Sequence, residues 1–560
     1  MRRFAAIAAL GLAFGLPGSA FAKVELTQFS VEPTSLAAGG HPNVTITQVL
    51  GYDSAADDVK DAFVRLPPGM LGNPQAAAVC SPQQFAADSC PEDSVVGSVV
   101  VNANLALLPD LLPTLPAPPV NGVVYNLPPA GSEPARLGLV LAAIGGLSKI
   151  FLQAPVELRS GPDGYALEST FADQPRQSAG LNIQIQRIAL TFNGAASRGS
   201  FMRMPTACTP LRAVSRVNSH DAPAAMSERS FELTPTNCEA LPFSPTASGS
   251  VGAAGMTRER DHPPVTTTLR FDPEHAALKR AEVTLPVWLA PNTPGLQRAC
   301  SREQANASAC PDSSRVGTAI IDSPLQAQPV RGPIYIAFNT AAALPGLLVI
   351  LPPPVGVRLD GTSDATTAGL KNVFASNPDL PVRSFTLELD SGENGLFELT
   401  RNLCDERTDT TMDVSLLAHS GKRVSFKQPL ATPGCDPLAR LAVRRKGRRA
   451  KLVARLQAAR EGPAITSATL RLPKPLRRGK RAPSAYVGRQ RFVPSGRGRN
   501  LRVDFPGEGV RGAVIVWRGL RASRKLRLTT AVTITMRDTR GKLTSLKPRA
   551  EVRGKRPRRP

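Results

Sequence analysis

The sequence predicts an all-β protein, a row of antiparallel β-sandwich, immunoglobulin-like domains stapled by disulfides. Three observations carry this. First, 53 prolines and 45 glycines are spread through 560 residues, a punctuation that long helices do not survive. Second, apolar and polar residues alternate in VELTQFSVEP from Val24 and in VTTTLRF from Val265, the period of a half-exposed strand. Third, Cys80-SPQQFAADS-Cys90-Pro91-EDSVV-Gly97 returns as Cys300-SREQANASA-Cys310-Pro311-DSSRV-Gly317, so a module is duplicated. Hydrophobic residues at 42% and charged residues at 20% exclude a disordered chain.

In chain order, residues 1–22 read as a secretion signal. Arg2-Arg3 is followed by an apolar run and by Ala20-Phe21-Ala22 as the cleavage site. Residues 23–245 form copy one and residues 246–438 copy two, each with four cysteines. The duplication covers more than the cysteines. His41-Pro42 and the strand AFVRLPPGML answer to His262-Pro263 and AEVTLPVWL, and RIALTFNG answers to SFTLELDSG. Copy one alone carries a Leu/Pro-rich stretch at 105–119, read either as an ordered loop on the sheet or as an exposed apolar contact surface. The apolar runs 137–152 and 341–357 are too short and too interrupted to cross a membrane as helices, and read as buried strands joined by turns. Residues 439–552 form a basic, cysteine-free β-sandwich domain whose opening repeats the strand, polar turn, strand and Leu-Pro layout. Residues 553–560 are a basic tail.

Eight cysteines, an even number, suit an oxidising compartment. The recurring intervals favour Cys80 with Cys90, Cys208 with Cys238, Cys300 with Cys310 and Cys404 with Cys435 among the 105 possible pairings. Close Cys or Cys/His pairs of the kind zinc requires are missing. The net charge of +24 is concentrated at the end: residues 440–560 hold about 36 Lys/Arg against about 5 Asp/Glu. Arg444, Arg445, Lys446, Arg448 and Arg449, with Arg556, Arg558 and Arg559 of the tail, are therefore the candidate anion-binding residues. The partners expected are anionic envelope polymers or lipid headgroups. Nucleic acid is disfavoured, because neither an aromatic stacking platform nor a recognised motif accompanies the charge. An alternative is that the arginines only solvate the strand faces.

No catalytic residue or cofactor site emerges. A Gly-x-Ser-x-Gly elbow, a His-Glu-x-x-His helix and a phosphate-cradling glycine loop are all absent from the sequence. The histidines His41, His220, His262, His275 and His419 read as turn residues bonded to backbone rather than as metal ligands. Asp53, Asp57, Asp58 and Asp61 read as a solvated turn, since the counterpart in copy two has Asp272 and Glu274 but then Lys279 and Arg280.

The series AGGHPN, DDVKDAFVRLPPGMLGNP, Cys-x9-Cys-Pro-x-x-Ser-x-Val-Gly and EPARLGL resembles large exported proteins of high-GC actinobacteria across residues 24–435. That resemblance implies export and repeated β modules and supplies no catalytic residues. The leading expectation is a non-enzymatic exported or cell-surface protein, a structural or adhesive platform whose basic domain docks on anionic envelope material. Two alternatives stand beside it: an exported hydrolase whose site assembles only in the fold, and a binder of a hydrophobic ligand that uses the 105–119 insertion.

Overall fold

The computed structural model describes residues 23–54, 57–106, 114–143, 148–178, 181–340, 344–405, 407–505, 507–523, 525–526 and 529–554. The signal segment with Ala20 and Ala22, residues 107–113 of the Leu/Pro-rich stretch, and Arg556, Arg558 and Arg559 lie outside the described residues. The protein is all-β, its helices among the described residues are short, and none of them is long and apolar enough to cross a membrane.

Copy one supplies eleven principal strands: β1 (Val24–Pro33), β2 (Val44–Tyr52), β3 (Val59–Arg65), β4 (Val95–Ala106), β5 (Val120–Leu127), β6 (Ala135–Ala143), β7 (Ser148–Gly161), β8 (Gly164–Phe171), β9 (Leu181–Phe192), β10 (Leu211–Ser219) and β11 (Ser227–Leu233). Copy two repeats them as β12 (Thr246–Val251), β13 (Val265–Arg270), β14 (Leu278–Pro286), β15 (Arg315–Asp322), β16 (Val330–Ala337), β17 (Gly346–Ile350), β18 (Arg358–Thr366), β19 (Gly369–Phe374), β20 (Ser384–Leu389), β21 (Thr411–Ala418) and β22 (Arg423–Ala431). Both copies share one neighbour order. In copy one it runs β1-β2-β9-β4-β5-β6-β7-β8-β3-β10-β11, and copy two follows the same path with each strand number raised by eleven.

Alternation of residues does not distinguish a sandwich from a barrel, because closure is set by how the edges meet. In copy two the edges join through a short parallel pairing, Gly249 with Leu430 and Ser250 with Ala431, and the barrel is closed. In copy one the edges are bridged by side chains. The Leu26 N–H donates to Ser227 Oγ at 2.9 Å, and Arg229 lies 3.0 Å from Glu25. Residues 438–553 make two layers, an eight-stranded and a four-stranded sheet. They share one core around Trp517, Leu452, Ile515, Leu470 and Ile534.

The repeated motif has a physical reason at each position. Ser81 and Ser301 cap short helices, each exchanging hydrogen bonds with Gln84 or Gln304 in a capping box. Gly97 and Gly317 sit where the ladder leaves no room: a Cβ would lie 2.2 Å from the Thr191 carbonyl oxygen and 2.1 Å from that of Glu388. The bridges join Cys80–Cys90, Cys208–Cys238, Cys300–Cys310 and Cys404–Cys435, the pairs that the intervals favour. Four disulfides fit a protein of an oxidising compartment.

The units are bonded to one another. Asp379 of copy two accepts from the Thr206 N–H and the Thr206 hydroxyl of copy one, both at 2.7 Å. The Leu-Pro-Pro-Gly glycine, Gly69, has φ +85°, and a Cβ there would fall 2.7 Å from the same Asp379 carboxylate. His41 Nε2 meets Glu274 at 2.8 Å, and Arg203 donates to the His275 carbonyl at 2.7 Å. At the second junction Arg460 donates to the Leu403, Asp405 and Thr408 carbonyls, while Arg440 pairs with Asp405.

Candidate cationic face and interior cavity

The basic unit opens with the hairpin β23 (Leu438–Lys446) and β24 (Arg449–Gln457). Leu452, Ala454 and Leu456 face the core, so Arg449, Lys451 and Arg455 face out. Across the ladder, Arg440 stands opposite Arg455, Arg444 opposite Lys451 and Lys446 opposite Arg449. The pattern continues sideways. Arg449 faces Arg521 of the strand Gly512–Ala522, and Arg444 faces Arg553 of the strand Arg549–Arg553. Like charges directly opposite destabilise a ladder. Among the described residues, Arg440 is the member of this set that is ion-paired.

Four of the five described residues singled out by charge, Arg444, Lys446, Arg448 and Arg449, are exposed. Arg445 differs: it is 5% exposed, its Nε donates to the Gly447 carbonyl at 2.9 Å, and Nη2 donates to that of Ser523. Strand alternation turns it away from its neighbours, and it serves the turn instead of the surface. Charge counting missed Arg440, Lys451, Arg455, Arg521 and Arg553. They are separated in sequence, and only the strand pairing brings them onto one face.

Each histidine has a local partner. His41 Nδ1 lies 2.7 Å from the Met202 carbonyl. His220 Nε2 donates to the Gln174 carbonyl and His419 Nε2 to that of Asn377, both at 2.9 Å. His262 and His275 sit 3.8 and 3.6 Å from Glu398 and Asp272. In the acidic turn, Asp58 accepts from Arg176 at 2.7 Å, and Asp61 accepts from the Asn218 side chain at 2.9 Å. Asp57, 3% exposed, is raised above the usual carboxylate range by burial, and burial likewise raises the Tyr52 phenol.

The interior of the first barrel holds a cavity of about 560 Å³. Its wall includes Ile46 of β2, Val99, Val101 and Leu105 of β4, Leu139 and Leu141 of β6, and Ile183, Ile185, Ile188 and Leu190 of β9. The polar residues on the lining are Gln48, Asn121 and Gln174, and Gln48 already donates to Ser215 at 2.7 Å. Ala117, Pro118 and Pro119, the described end of the Leu/Pro-rich stretch, lie at the rim. A space of this volume between apolar strand faces departs from the close packing of an ordinary domain core. Methyl-lined walls also offer water few partners.

No protein-family model matches the chain, and no curated protein matches it. Among solved structures, the Enterococcus faecalis MSCRAMM ACE, described as binding its ligands by the collagen hug model, matches at 9% identity and a TM-score of 0.16, over 55% of this chain and 94% of its own. A putative membrane-anchored protein from Corynebacterium diphtheriae matches at 7% identity and 0.17, over 82% of this chain and 97% of its own. A region of a 1.5-MDa bacterial ice-binding adhesin matches at 8% identity and 0.16, over 95% of this chain and 99% of its own. Scores of this size define neither the fold nor the activity of this chain.

Proposed function

We propose that the protein is a non-enzymatic, exported binding platform held against anionic envelope material by the outer sheet face of its basic unit. The observation that carries this reading is the set of cation-on-cation cross-strand pairs on β23, β24 and their neighbours. Such an arrangement costs stability in isolation and is relieved by an anionic surface. The bonded junctions and four disulfides support a rigid mount, and the cavity lining presents no nucleophile beside a base.

The test is co-sedimentation of the mature chain with isolated envelopes and with phosphatidylglycerol or phosphatidylcholine vesicles. Pelleting with anionic material at low salt and release near 1 M salt are expected, because the screening length falls from ~10 Å to ~3 Å between 0.1 and 1 M. The combined variant R444E/R449E/K451E/R455E should remain in the supernatant. Salt-resistant pelleting, or equal binding by that variant, would overturn the reading.

A further inference from the structure

We propose that the first barrel binds one elongated apolar ligand, a lipid acyl chain or its chemical equivalent, along its axis. The site is distinct from the cationic face and does not depend on it. Its length follows from the strands that line it. The wall residues run from Val99 to Leu105 on β4 and from Ile183 to Leu190 on β9, a slot about 15–18 Å long once ~3.3 Å per residue is projected at a barrel strand tilt of ~40°. The lining is hydrocarbon apart from Gln48, Asn121 and Gln174. A ligand with a long apolar body fits that composition.

The second barrel shows that the cavity is a built feature of the first. Registers counted from Gly97 and Gly317 place Ile188 opposite Val101 and Phe385 opposite Ile321, so a phenyl ring stands in copy two where copy one has an isoleucine. Phe385 packs edge-on against Phe374 at 6.4 Å between ring centres. Leu351, Val355 and Leu380 close over the end of that barrel, leaving spaces of about 60 Å³. The walls differ too. Strands β4, β6, β7 and β9 have 12, 9, 14 and 12 residues, against 8, 5, 9 and 6 in β15, β17, β18 and β20. Copy one is taller on the sides that line the cavity, and the lining positions of its extra length, Ala103, Leu105, Ile183 and Ile185, are apolar.

The test uses the mature chain and the uncharged dye N-phenyl-1-naphthylamine, which the cationic face does not attract. Saturable fluorescence enhancement at one dye per chain is expected. Displacement by n-alkanols should strengthen with chain length and level off once the slot is full. I188F, which copies the filled barrel, should weaken dye affinity at least tenfold, while L387A in the second barrel leaves it within twofold. Failure of the wild type to bind saturably, unchanged affinity in a folded I188F, or a chain-length dependence that never levels off would overturn the proposal. The alkanol series decides the matter even where I188F does not fold. Envelope docking can fail while dye binding succeeds, and the reverse, so the two proposals are separately refutable.

Discussion

The two barrels share strand order, disulfides, His-to-carbonyl bonds and glycine positions, yet one is hollow and the other is packed. Gln174 N–H donates to the Lys60 carbonyl and Asn377 N–H to that of Lys279, at 2.8 and 2.9 Å, so even the loop over the end of each barrel starts from the same anchor. The loops diverge after that anchor. In copy two, Leu380 turns into the barrel end. In copy one the chain continues as Gln177–Ser178 and pairs with Leu181 and Asn182 to extend the wall. The same frame therefore yields a plug or a rim according to a few side chains, which locates specificity in the interior and loop residues and stability in the shared frame.

The sharpest way to break this comparison is to truncate the same residue in both copies. Phe171 and Phe374 occupy matching registers, opposite Ala62 and Ala281. F374A should cost about 3–5 kcal/mol, because it opens a hole in a filled core. F171A, which removes a ring already facing the cavity, should cost less than about 2 kcal/mol. Hydrogen exchange of the wall strands measures each barrel separately. Equal costs would mean that the first barrel is packed as tightly as the second.

Next in size are the matched disulfides. Cys80–Cys90 and Cys300–Cys310 each span a separation of 10 residues, so replacing either pair with alanine should cost about 2.7 kcal/mol on the loop-closure estimate. Unequal losses would show that hollowness changes how each barrel uses its clasp. Smaller again is D379N, which weakens the carboxylate's hold on Thr206 and should cost about 1.5–3 kcal/mol at the junction, read as faster exchange at residues 203–208.

The smallest effect is a pH difference. Asp405 is held well below the usual carboxylate range, first by the Arg407 hydrogen bond and also by Arg440. Its stabilisation is complete above the unfolded value of about 3.9 and is lost only as pH falls into strong acid. Asp57 is shifted the other way, by burial. The folded chain then holds that proton more tightly than the unfolded chain does, so stability at the rim of the first barrel rises as pH falls from its raised value towards the ordinary one. With the intrinsic pH dependence of exchange divided out, mild acid should raise the protection around Tyr52 and Asp57 and leave that of the Asp405 junction unchanged.

Strand existence was legible because alternation survives in the buried positions, Val24 and Leu26 before the bulge at Leu26/Gln28 and Phe29 and Val31 after it. The disulfide pairs were legible because each interval is repeated. The cavity was not, for a physical reason: Ile188 and Phe385 both satisfy an apolar inward position, and period-two patterning is blind to how far a side chain reaches across the barrel. The cationic face was half legible. Runs such as Arg444-Arg445-Lys446 are visible as sequence, but alternation sends their middle member inward, and the cross-strand partners Arg455, Arg521 and Arg553 lie far along the chain. The end of the Leu/Pro-rich stretch resolves as a short pairing of Leu115 and Pro116 with Leu105 and Asn104.

Asp379 and Leu380 are adjacent, and they do opposite jobs: one grips the first barrel through Thr206, the other stoppers the second. Uncorking the second barrel would drag the grip away with the stopper and strip two charge-assisted bonds from the neighbour. The duplicate is thereby latched shut by its own twin. A chain that kept only the second copy would lose that latch, and its sealed interior would become the easier of the two to open.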